Sequence, residues 1–242
     1  MDDWMIILRG DERDLEDLSI VFTTPDLIIK KVVEKDYQFY SLTSSQFTPS
    51  LQYNHVKNES QKIVENLTAL CKLYWESRKP IEIDGIRHYH GDGKISVFVE
   101  GKIAGSSRDR TSLMVAKKGG TDDVSDPSDP LRRGMTIAQK DARVAKAFRY
   151  YREPSHPWSN YCKIIEIMEE DRFKPIMRGG IHKKEANKLT ATANCELAIG
   201  SEARHAKDSI QQPKDPMTLP EARSFMKMLF RKWLEEKESP LP

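Results

Sequence analysis

Only three cysteines, Cys71, Cys162 and Cys195, occur in 242 residues. They are odd in number and far apart, which excludes a disulfide framework and a Cys-x-x-Cys metal knuckle. No apolar run approaches the roughly 18 consecutive residues that a membrane helix needs, and Met1-Asp2-Asp3 is acidic where a secretory signal is basic. A cytoplasmic chain without a membrane span is expected. No charge sign dominates either: 39 Lys and Arg stand against 37 Asp and Glu, a formal net charge of +2, so the whole chain offers no electrostatic argument for nucleic acid. There is no Walker-type phosphate loop, no Gly-x-Gly-x-x-Gly after a strand, no Gly-x-Ser-x-Gly elbow and no His-Glu-x-x-His. These absences argue against a nucleotide-driven motor and the common hydrolases, and no cofactor is expected.

What is present suffices for a folded core: 38% hydrophobic and 31% charged residues, with a mean hydropathy of −0.64. The charge is unevenly spread. Residues 1–116 hold 15 basic and 18 acidic side chains, net −3, whereas residues 117–242 hold 24 and 19, net +5. An anionic partner would therefore meet the second half. Between them, residues 117–134 contain three Gly, two Pro and four Asp with few apolar side chains. Such a stretch buries too little to offset chain entropy and reads as a linker or surface loop, taken here as 117–135.

Before the break, Trp4–Leu8, Leu27–Val33, Tyr37–Leu42, Ile81–Tyr89 and Lys94–Val99 are short β-branched or aromatic segments bounded by turn formers. The last two flank Gly91-Asp92-Gly93, a hairpin turn. Apolar residues from Val56 to Tyr74 recur at helical spacing and predict a helix over about 55–76, with a shorter helical turn near Asp14–Phe22. After the break the period becomes 3.6. Thr136 with Gln139 suggests a capping box opening one helix to Tyr151; Trp158–Met168 predicts a second, Lys183–Thr192 a third, and Thr218 with Glu221 caps a last helix buried through Phe225, Met226, Leu229, Phe230 and Trp233. The expected fold is α+β: a mostly antiparallel sheet with one covering helix in 1–116, and a small helical bundle in 136–242.

Three places carry candidate chemistry. Arg204 and His205 adjoin in a polar connection with Glu202 and Asp208 nearby. A histidine moves a proton near neutral pH and an arginine grips a phosphate, so the pair suits phosphodiester chemistry; the alternative is a set of local ion pairs or helix caps that order the loop. The second is the basic stretch Arg172, Lys174, Arg178, Lys183, Lys184 and Lys188, which suits a phosphate backbone or, equally, a solvated face beside the acidic residues 166–171. Its lone aromatic, Phe173, is too little for a stacking platform. The third is His88 with His90 and Asp92, where residues two apart on a strand share a face and two imidazoles approach metal-ligand spacing. No fourth ligand accompanies them, and no metal is assigned. The apolar face of the last helix serves the core or, where uncovered, a protein partner or a second copy.

The order of the second half is helix, Trp158-Ser-Asn-Tyr-Cys-Lys-Ile-Ile-Glu-Ile, a connection with Ala203-Arg204-His205-Ala206, Gln212-Pro-Lys-Asp-Pro-Met-Thr-Leu-Pro-Glu-Ala-Arg, and a final helix ending Arg231-Lys-Trp-Leu. Together with Leu8-Arg-Gly-Asp-Glu-Arg-Asp-Leu-Glu-Asp-Leu18 this resembles a group of bacterial proteins that brings no activity with it. The last hundred or so residues also resemble the HEPN superfamily, four-helix domains found in toxins and phage-defence nucleases. That resemblance implies either a non-catalytic module binding protein or RNA, or a metal-independent endoribonuclease in which His205 is the acid or base and Arg204 stabilises phosphate charge. HEPN nucleases separate the Arg from the His by several residues at the head of a helix. Here Arg204 directly precedes His205, and Arg178-Gly-Gly-Ile-His182 is interrupted by glycines. Neighbours on a helix point about 100° apart, so the departure favours the binding reading.

Overall fold

The computed structural model describes residues 3–34, 37–48, 50–77, 79–99, 129–204 and 213–238. The fold is α+β, and the described residues divide into two compact units, 1–64 with 79–132 and 65–78 with 133–242.

The first unit is built on six strands, β1 (Asp3–Arg9), β2 (Thr23–Thr24), β3 (Leu27–Glu34), β4 (Tyr37–Thr43), β5 (Glu82–Tyr89) and β6 (Ile95–Val99), in the order β2-β3-β4-β1-β5-β6. Every pairing is antiparallel. The register aligns Ile29, Leu42, Ile6, Ile86 and Phe98 in one cross-strand row. The first four are fully buried, as alternation with one face inward requires. The helix expected only as a turn is a complete α1 (Glu12–Val21), whose Asp11 side chain accepts the Arg13 N–H at 3.1 Å. The long helix α2 (Tyr53–Tyr74) begins here, with Tyr53 stacked on Phe98 at 4.1 Å. The β5–β6 hairpin turns through residues 90–94, held by His90 and Lys94 backbone bonding. On the opposite sheet face Ile95, Val97 and Val99 are exposed.

The second unit contains the end of α2, α3 (Asp129–Lys140) from Arg133 onward, and five further helices: α4 (Ala142–Arg152), α5 (Pro157–Glu170), α6 (Lys183–Ala193), the short α7 (Glu196–Ile199) and α8 (Leu219–Glu238). Its centre is aromatic, with Phe230 packed on Phe148 and Tyr151, both at 5.2 Å, and on Trp233 at 5.6 Å. At the start of α8, Thr218 N–H donates to the Glu221 carboxylate at 2.7 Å and Glu221 N–H returns to the Thr218 hydroxyl at 3.4 Å, the expected capping box. The helix expected to run to Tyr151 is two: Asp141 leaves helical geometry and caps α4 through Arg143 N–H at 2.8 Å. Its predecessor α3 starts at Asp129, inside the stretch whose composition suggested a linker, because Leu131, Met135 and Ala138 form a buried stripe. Gly134 in that stripe is a packing position, since a Cβ there would lie 2.5 Å from Leu70 Cδ2. The end of α2 joins this unit through Lys72 Nζ on the Tyr151 carbonyl (2.8 Å), Arg231 on the Leu73 carbonyl (2.9 Å) and Arg152 with Glu65 (2.9 Å). Residues 100–128, with most of the stretch read as a linker, lie outside the described residues. Among the described residues no helix is long and apolar enough to cross a membrane.

Candidate functional site

The α5–α6 connection places most of the basic stretch. Helix α5 ends at Asp171, after which Arg172 N–H donates to the Glu169 carbonyl and Phe173 N–H to the Met168 carbonyl, both at 2.9 Å. This doubly bonded helix end needs a left-handed residue, and glycine normally supplies it. Here it is Arg172, at φ 60°. Phe173 and Ile176 are buried and anchor a 3-10 turn, Lys174–Ile176. The chain then reverses, with Gly180 N–H on the Met177 carbonyl, His182 N–H on the Pro175 carbonyl (both 2.8 Å) and Lys183 N–H on the Gly180 carbonyl (3.1 Å). Gly180 is demanded by close approach: a Cβ would collide with the carbonyl oxygens of Lys174 and Pro175. The connection is therefore an ordered loop with its backbone groups largely satisfied.

The cations of this loop and the start of α6 fall into two classes. Lys183 pairs with Glu169 at 2.8 Å and Lys188 with Asp215 at 2.5 Å. The hydrogen bond to Asp215 holds the Lys188 amine above its ordinary range. Arg172, Lys174, Arg178 and Lys184 are exposed and have no ion-pair or hydrogen-bond partner among the described residues. Beside them Ile181 is 78% and Met177 38% exposed.

Arg204 lies in a different setting. It follows α7 and a 3-10 turn, Gly200–Glu202; its N–H donates to the Ala193 carbonyl at 2.8 Å, and its guanidinium meets Glu166 at 2.6 Å. The Glu166 hydrogen bond keeps the guanidinium more firmly protonated than usual. Cys162, hydrogen-bonded to Arg204 and Thr190, is pushed up to about 11 by burial, so its thiol is no nucleophile at neutral pH. A cleft of about 430 Å³ between α5 and α6 is lined by Cys162, Glu166, Glu169, Asn187, Thr190 and Asn194. Glu166 is thus both a cleft wall and the partner of Arg204. His205 lies outside the described residues.

His182 does not stand with Arg178. Its ring packs edge-on against Phe225 at 6.2 Å, its Nε2 is buried without a hydrogen bond, and burial, aided by Lys232, lowers its pKa. Arg178 is exposed on the turn before it. In the first unit His88 stacks on Trp4 at 3.9 Å, His90 Nε2 bonds Ser96 Oγ at 2.8 Å, and Asp92 holds Lys94 Nζ at 2.6 Å. The His88 and His90 rings do share a face, with centroids 4.2 Å apart, but no group of three or more His, Cys, Asp or Glu side chains among the described residues could hold a metal ion.

Two features escaped sequence reasoning. Glu166 as partner of Arg204 leaves no local signal, because it is set by the packing of the 193–204 chain beside α5. The order of the 172–182 loop had one available sign, the adjacent Gly179 and Gly180 after Pro175. No family model, curated protein or solved structure matches this chain.

Proposed function

We propose that this chain is a non-catalytic interaction or regulatory protein of the bacterial cytoplasm, with a HEPN-like helical unit that docks an anionic partner on its α5–α6 connection. One observation carries this reading: four cations are presented unpaired, Arg172, Lys174 and Arg178 on an ordered loop and Lys184 in the first turn of α6. Long basic side chains near carboxylates usually pair with them, as Lys183 and Lys188 do here. Cations left in water remain available to steer and hold an oppositely charged surface. The state of Arg204 supports the absence of catalysis, since a guanidinium committed to Glu166 must give up that carboxylate before it can grip a scissile phosphate.

The reading is tested by capture from lysate with the intact chain and with a variant in which Arg172, Lys174, Arg178 and Lys184 are each changed to Glu. A partner retained by the first, released by added salt and not retained by the second is expected. Incubation with total RNA in EDTA separates the nuclease alternative: no cleavage is expected, and cleavage that disappears in Arg204→Ala and His205→Ala would replace this reading with a metal-independent endoribonuclease of toxin or defence type.

A further inference from the structure

We infer that the partner docked on the α5–α6 connection is a protein, through an acidic segment that carries a large apolar residue; this rests on the docking role given to that loop. Three observations converge. Residues 172–184 contain five cations and no carboxylate, and the flanking acids Glu169 and Asp171 are already engaged by Lys183 and Lys237. The surface is thus complementary to acid, with Glu170 and Glu185 the remaining carboxylates next to it in the sequence.

Second, the cations alternate along the chain with two exposed uncharged side chains, Ile181 at 78% and Met177 at 38% exposure. A phosphate backbone would use the four cations and leave both apolar groups wet. Base stacking is not available, because Phe173, the only aromatic residue of the loop, is 1% exposed and serves as its anchor. Protein interfaces, by contrast, are enriched in Met and Arg, and their affinity concentrates in desolvated central contacts ringed by polar ones. Ile181 and Met177 are the natural centre and Arg172, Lys174, Arg178 and Lys184 the rim.

Third, Arg172 occupies a left-handed position where glycine is favoured. A long charged side chain there carries a backbone cost that the helix end does not require. Glu76 and His156 take the same backbone region; at Arg172 the side chain that bears this cost is an exposed cation next to the surface.

The probe is a phage-displayed library of short random peptides selected on the full chain, followed by fluorescence anisotropy of the enriched peptide. An RNA oligonucleotide and phosphatidylserine vesicles serve as competing anions. Enriched peptides should combine several Asp or Glu with one Leu, Ile, Phe or Met. Their binding should weaken about tenfold in Ile181→Ser, which leaves the charge untouched, and by a similar factor in Arg178→Glu. The equal charge change Lys146→Glu on α4 should leave it intact, with thermal unfolding unchanged in all three. If Ile181→Ser binds as well as the parent chain, the apolar contact is wrong and the inference falls, while docking of an anion stands. Tighter binding of the RNA or the vesicles than of any selected peptide, abolished by Arg178→Glu, would overturn the inference in the same way. Indifference of every anion to Arg178→Glu would overturn both the inference and the docking role of the loop.

Discussion

Asp171 and Arg172 are adjacent in the chain and opposite in circumstance. The Asp171 carboxylate, 11% exposed, takes Lys237 Nζ at 2.5 Å, Trp233 Nε1 at 2.8 Å and Arg143 at 3.5 Å. The Arg172 guanidinium has no hydrogen-bond or ion-pair partner among the described residues and opens a loop of exposed cations. Within one residue the helical unit passes from charges consumed by folding to charges left for solvent or a partner. Arg204, bound to Glu166, belongs with the first kind even though its sequence context suggested chemistry. Pairing, rather than residue type or local polarity, separates the two kinds of cation in this protein.

The largest effect expected from breaking this contrast is on the folding side. Asp171→Ala strips Lys237, itself 19% exposed at its side chain, of one of its two carboxylates and leaves the Trp233 N–H without its acceptor. Removing one member of a buried charge cluster costs about 3 kcal/mol, and urea unfolding should show a loss of that order. Arg172→Ala changes an exposed side chain and should stay within about 0.5 kcal/mol on the same measurement. Equal losses in the two variants would erase the distinction.

Next in size is Gly180→Ala. Overpacking a closed backbone turn costs about 2 kcal/mol, and here the displaced atoms are carbonyls of Lys174 and Pro175 rather than pliable side-chain ends. Stability and partner binding should fall together, because Gly180 fixes the turn from which Arg178 and Ile181 project. Binding that survives would mean that the cations act as an unstructured cluster.

A smaller effect is expected with acid. Burial holds the His182 pKa below its ordinary 6.5, so the folded state prefers the neutral ring. Its contribution is complete above 6.5 and lost as pH falls through the lower, folded value. Asp141 acts in the same direction at lower pH. Burial alone would push its carboxyl up, but the hydrogen bonds from Lys237 and the Arg143 and Val144 backbone outweigh that and hold it below 3.8. Its stabilisation is present above 3.8 and disappears as pH drops through the folded value. Urea midpoints across this range should decline first on the His182 step, and His182→Gln should flatten that step alone.

The elements legible in the sequence are those dictated by local pattern. Alternation in Trp4–Leu8 and Tyr37–Leu42, the 3.6 period of α2 and the Thr218–Glu221 box each record one buried face or one cap, and the structure has them where the pattern puts them. What was hidden depends on distant partners. Gly134 looks like loop chemistry until Leu70 is beside it, and Asp141 looks like any polar residue until it caps α4. The six basic residues of the α5–α6 region were visible as a run, but their division into paired and unpaired required Glu169 and Asp215 in space. Arg204 shows the same limit, since the residue that fixes its state lies on another helix.

The finest test of the contrast is Arg172→Gly, because it asks stability and binding to move in opposite directions. A left-handed residue with a Cβ costs about 1 kcal/mol or more, whereas glycine takes that conformation freely. Glycine also enlarges the entropy of the unfolded chain, which offsets part of the gain, so stabilisation of about 0.5 kcal/mol is expected. The Arg172 side chain is exposed and makes no hydrogen bond or ion pair among the described residues whose loss would oppose it. Partner affinity should nevertheless fall, as one of four cations leaves the surface, and the salt dependence of binding should become shallower with it. Stability that drops with the substitution would show that the arginine was serving the fold, and Arg172 would then join Asp171, Lys237 and Arg204 among the charges that folding consumes.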